Sequence, residues 1–136
     1  MPLGPELVEA YRRTDYAVRL QPDLVFHVDE PNQHLDLLLV AHAADSAAFI
    51  TASNPRGEVK PDAENRRANA KLYETQTAAG YLCYPGEGRG PDGKWREQSF
   101  LILKIPRAAA EALGRALNQN AIVFIEHGHA PELIVL

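Results

Sequence analysis

Apolar positions along the chain fall into short blocks, and their period changes from block to block. "GPELVEAYRRTDY" carries Leu7, Ala10 and Tyr11 at helical spacing behind Pro5, so it predicts a short helix. "YAVRL" and "LVFHV" predict strands, with Gln21-Pro22-Asp23 as turn chemistry between them, hence a hairpin. Asn32 is placed to cap a helix over about 33–42. "SAAFITAS" predicts a strand, and residues 62–79 the longest helix. Asp62 is the expected cap there, Asn65 the third helical position and Gly80 the stop.

The second half alternates in the same way. "YLCYPG" predicts a strand, "GEGRGPDGKW" a loop and "EQSFLILKI" a strand. Pro106 opens a helix over about 106–117, and "NAIVFIEH" and "PELIVL" supply two more strands. From residue 46 the order is β-α-β-β-α-β with one strand added, which is the ferredoxin-like order. The expected fold is an α+β sandwich, a single domain over residues 1–136. The N-terminal helix, hairpin and second helix would extend the sheet or cover its other face.

Polar residues stand where several apolar elements begin or end. Alternation puts Asn54 on the face of Ala48, Ile50 and Ala52. On the long helix, Asn65, Asn69 and Gln76 border the face of Ala68, Leu72 and Ala79. Glu97 and Ser99 share the face of Leu101 and Leu103, and Asn120, just after Gln119, that of Ile122 and Phe124. Several have a plain structural explanation: Asn54 before Pro55 starts turns, Glu64 and Asn65 suit a helix N-terminus, and Asn118-Gln119-Asn120 ends a helix. Convergence of the set on one rim would make it a site.

Bulk properties narrow the partners. A net charge of −4 with pI near 5.7 disfavours a dedicated nucleic-acid binder. One cysteine, Cys83, gives no internal disulfide, which suits a reducing cytoplasm; no signal peptide and no membrane segment are expected.

The ordered motifs "YRRTDYAV", "FITASNP", "ENRRAN", "GYLCYPGEGRGPDGKWREQSFLIL" and "GRALNQNAIVF" resemble a bacterial family known as domain of unknown function 3293. The resemblance runs over nearly the whole chain. The family pattern more often has Trp where Ser53 stands and Gly where Lys104 and Leu117 stand. It implies no activity, cofactor or catalytic residue. Its recurrent polar positions coincide with Asn54, Asn65, Glu97, Ser99, Gln119 and Asn120.

Other motifs weigh less. "GEGRGPDG" lacks the Gly-Lys-Ser/Thr ending of a P-loop and leads into no helix. Trp95 at its end could meet a ligand ring or anchor the loop. His127 and His129, next to Glu126, could face one side but lack a clear third ligand for a metal, and Cys83 among apolar residues reads as core. Arg66-Arg67 beside a helix N-terminus could meet an anion or be a solvated pair.

Two functions follow. In one, the domain binds a small polar ligand of nucleotide or sugar type and hydrolyses it. Glu97 is then general acid or base with Ser99 beside it. Asn54, Asn65, Gln119 and Asn120 hold the ligand, Arg66 neutralises an anionic group, Trp95 contacts a ring, and the 86–96 loop closes. In the other, the domain is a non-catalytic regulatory or protein-interaction module, a homodimer among the options, and the amides serve structure. Neither reading calls for a cofactor or metal.

Overall fold

A computed structural model describes residues 4–136; the first three positions of the expected 1–136 domain lie outside the described residues. The elements are α1 (Pro5–Arg12), β1 (Asp15–Val18), β2 (Leu24–Phe26), α2 (Gln33–Ala41), β3 (Ser46–Ile50), a 3-10 turn at Pro55–Gly57, α3 (Asp62–Ala78), β4 (Cys83–Arg89), β5 (Arg96–Leu103), α4 (Arg107–Ala116), β6 (Ala121–Glu126) and β7 (Glu132–Val135). Helix and strand are mixed around one curled antiparallel sheet in the order β2-β1-β4-β5-β3-β6-β7. A ferredoxin-like unit alone would not give this seven-stranded sheet, because β1 and β2 lengthen one edge and β7 the other.

Strand alternation divides the apolar residues into two cores. One face carries Tyr16, Phe26, Phe49, Leu101 and Ile125 against Leu35 and Leu39 of α2. The other carries Ile50, Phe100, Ile102 and Phe124 against Leu72 of α3 and Ala110 of α4. Burying both faces is what gives the central strands their nearly unbroken apolar runs. The N-terminal segment thus does both expected jobs: β1–β2 extend the sheet and α2 covers the face opposite α3 and α4. Asn32 caps α2 by accepting from the Leu35 N–H at 3.0 Å.

Three local expectations are corrected. The N-cap of α3 is Pro61, with no side-chain cap, so Asp62 is the first helical residue and Asn65 sits in the fourth position. Asp62 and Glu64 still lie in the positively polarised first turn. Strand β3 ends at Ile50, earlier than expected, because the N–H groups of residues 52–54 donate to side chains instead of a neighbouring strand.

The third correction concerns the glycine-rich segment. Strand β4 runs on through Arg89, pairing Gly86 with Ser99, Gly88 with Glu97 and Arg89 with Arg96. A Cβ on Gly86 would lie 2.6 Å from the Ala17 carbonyl oxygen and 2.8 Å from the Phe49 ring. Glycine there permits close packing rather than flexibility. The open loop is only the tip between Arg89 and Arg96.

At one end of the sheet β1, β5 and β6 begin while β3 and β4 end. Helix α2 covers the far part of the first face. At this end α1 stands over it, with none of its own residues buried.

Candidate functional site

The amides after β3 hold the chain in shape. Asn69, completely buried, accepts from the Ala52 N–H at 2.9 Å and donates to Ser53 Oγ at 2.8 Å and to the Asn65 carbonyl at 3.0 Å. Asn65 Oδ1 accepts from the Asn54 N–H at 2.9 Å, and Asn65 Nδ2 donates to Asn54 Oδ1 at 2.8 Å. Asn54 Oδ1 also accepts from the Lys60 N–H at 2.9 Å. Asn54 has φ 47°, a left-handed conformation that asparagine tolerates better than most residues. Four of these bonds tie the 51–54 segment to α3, while the Lys60 bond closes the loop on itself and the Asn69–Asn65 bond stays within the helix.

One donor remains. Asn54 Nδ2 reaches across to Glu97 Oε2 at 3.1 Å. Glu97 is half-buried at the start of β5, and burial pushes its carboxyl up to about 7 from the usual 4.5, while the Asn54 hydrogen bond pulls it back down. At neutral pH the carboxyl is therefore populated in both protonation states.

Glu97 opens onto a cleft of about 700 Å³. Its walls are α1 (Leu7, Ala10, Tyr11), the segment from Asn54 to Val59, the hairpin tip from Gly90 to Trp95, and Gln119 with Asn120 before β6. Gly57, at φ +74°, lets this wall close: a Cβ there would come within 3.2 Å of Asn120 Nδ2. Gln119 Nε2 donates to the Ser53 carbonyl at 3.0 Å. The hydroxyl of Tyr11 is raised above its usual range by burial and then by the charge of Glu97, while the Asn120 side chain lowers it, so it stays protonated as a donor.

Trp95 and the apolar residues give the rim a second character. Trp95 is 43% exposed, Leu7 39% and Val59 87%. The indole lies by Gly88, where a Cβ would be 3.9 Å from its ring, and a strand side chain would otherwise occupy that space.

Of the residues singled out in the sequence, Asn54, Trp95, Glu97, Gln119 and Asn120 line this one cleft. Asn65 stands behind Asn54, bonded to it. Ser99 is buried below, in an adjoining hollow of about 50 Å³, and its hydroxyl donates to the Glu97 carbonyl at 3.1 Å. Arg66 is exposed on α3 and is not part of the cleft lining; Arg13 is the arginine found there. Cys83 is buried in the α3–α4 core, where burial pushes its thiol up to about 11. Glu126, His127 and His129 lie at the β6–β7 turn, and among the described residues no three metal-ligating side chains cluster.

The wall contributed by α1 is the part of the cleft that sequence pattern does not mark as a site. Its signal was the apolar stripe Leu7, Ala10, Tyr11, which reads equally well as core. No helix among the described residues is long and apolar enough to cross a membrane.

A family model described as protein of unknown function (DUF3293) matches residues 50–122, more than half of the chain. The matched span includes Asn54, Trp95, Glu97, Gln119 and Asn120 but not α1 or its "YRRTDYAV" motif. No curated protein and no solved structure gives a significant match.

Proposed function

The chain belongs to this DUF3293 family, and we propose that it binds a small polar ligand in the cleft and moves a proton on it through Glu97. The observation that carries this reading is the Glu97 carboxyl itself. It is held by one amide, balanced between protonation states near neutral pH, and open to a cleft large enough for a metabolite.

Asn54 hydrogen-bonds one carboxyl oxygen of Glu97, Oε2, and not the other. Asn120 and Gln119 hold polar groups of the ligand, and Tyr11 donates from its un-ionised hydroxyl. Hydrolysis is the reaction that suits this set. Ionised Glu97 takes a proton from a water molecule as the water oxygen bonds to the ligand. Protonated Glu97 then delivers that proton to the departing group. Ser99 has no free part in this step, since its hydroxyl is engaged with a strand carbonyl. The sheet order β4-β5-β3-β6, with α3 and α4 packed on one face, supports reading this part of the chain as a ferredoxin-like unit.

The amides divide by role. Asn65 and Asn69 spend their side chains on backbone and on neighbouring amide or hydroxyl groups, so they serve structure. Screening a library of polar metabolites for a rise in melting temperature tests the binding. A hit whose effect disappears in Asn120→Ala and is kept in Arg66→Ala supports the cleft. A hit that is blind to Asn120→Ala places binding elsewhere and refutes it. Turnover of that hit by the wild type and its loss in Glu97→Gln, with affinity retained, supports the proton transfer.

A further inference from the structure

The cleft combines two features that a purely polar ligand would not need together. Its inner end presents side-chain amides and a carboxyl, groups that offer a donor and an acceptor side by side. Its rim presents Trp95, Leu7 and Val59, apolar surfaces from three separate elements, all substantially exposed. Exposing Val59 to 87% on an unshielded loop leaves apolar area in water that a bound group would cover.

A pyranose ring has hydroxyls around its edge and at best one ridged apolar face of C–H groups, and its hydroxyls are not fixed as alternating donors and acceptors. A flat heterocycle with ring amide groups has two apolar faces and an edge of alternating donors and acceptors. That edge is what Asn and Gln amides pair with, and its faces are what an indole stacks on.

The charges at the rim add a constraint. Arg13 and Asp92 both line the cleft, one of each sign, and neither makes an ion pair among the described residues. The adjacent Arg66 and Arg67, which could take a phosphate, lie on the exposed side of α3. The rim thus has no excess of positive charge for a polyanion.

We propose that the cleft takes a nucleobase-type heterocycle carried as an uncharged nucleoside, its ring against Trp95 and its polar edge against Asn120, Gln119 and Glu97. This assignment rests on the cleft being a ligand site.

The chain contains one tryptophan, so its emission reports on the cleft directly. Titrating the full-length protein with adenosine, guanosine, cytidine and uridine should shift or quench that emission saturably for at least one of them. The matching 5′-monophosphate should bind no tighter. Asn120→Ala should weaken the nucleoside about tenfold, the loss of one well-placed hydrogen bond. Trp95→Ala, followed by calorimetry, should weaken it by a similar factor or more. Trp95→Phe, which keeps a ring face, should recover part of that loss. Circular dichroism of each variant separates lost binding from lost folding.

If hexoses or disaccharides saturate the signal and no nucleoside does, the cleft is a ligand site but the heterocycle is wrong. A monophosphate that binds at least tenfold tighter than its nucleoside overturns the uncharged assignment. If no nucleoside, sugar or other polar metabolite changes the emission or the melting temperature, the ligand reading itself falls and takes this one with it.

Discussion

Replacing Glu97 by glutamine should stabilise the protein, and only on the alkaline side. The native carboxyl titrates near 7, against 4.5 for the same group in water, chiefly because burial penalises its charge. The folded state therefore holds this proton more tightly than the unfolded chain does. The stability linked to the proton is fully present below about pH 4.5 and is lost as pH rises through 7. At 1.36 kcal/mol per unit, the difference between those two pH limits is about 3 kcal/mol. Glutamine has the size of the neutral acid, can still accept from Asn54 and carries no charge. Glu97→Gln should match the wild type within about 0.5 kcal/mol at pH 4.5 and exceed it by about 3 kcal/mol at pH 8.5. For a chain of 136 residues that is a rise of roughly 10 °C in melting temperature. Urea denaturation of both proteins by circular dichroism, at half-unit steps of pH, gives the difference curve and cancels the other titrating groups. A variant less stable than wild type at pH 8.5 would mean that the ionised carboxylate is the favoured native form. The acid–base role argued for Glu97 would then have no basis.

Three other outcomes follow from the same geometry. Asn54→Ala removes a side chain that accepts from Asn65 and Lys60 and donates to Glu97, so it should cost about 1–3 kcal/mol in urea denaturation; it should also move the Glu97 midpoint further up in a carboxyl NMR titration. Gly86→Ala places a methyl against the Ala17 carbonyl and the Phe49 ring and should cost about 1–3 kcal/mol, whereas Gly88→Ala, with no contact nearer than 3.8 Å, should cost well under that; equal losses would refute the packing account. Arg66→Ala, on the exposed side of α3, should leave both stability and ligand affinity unchanged within about 0.5 kcal/mol, and a loss of affinity would return that arginine to the site.

The alternation of apolar and polar residues was enough to locate every helix and strand to within a few positions, because period and punctuation are local properties. It also marked Asn54, Glu97, Gln119 and Asn120 as polar groups at the ends of apolar runs. What local pattern cannot carry is distance between elements. Asn54 and Glu97 are 43 positions apart and meet only because β3 and β5 pair antiparallel, with Ile50 opposite Phe100. Asn65 and Asn54 looked equivalent as polar positions; the fold puts one behind the other, so only Asn54 reaches the cleft. The stripe of Leu7, Ala10 and Tyr11 is the sharpest case. Its spacing specifies a helix with an apolar face but not what that face meets. Only the tertiary packing decides that it stands over an open cleft rather than a closed core, because burial is a property of the neighbours and not of the segment.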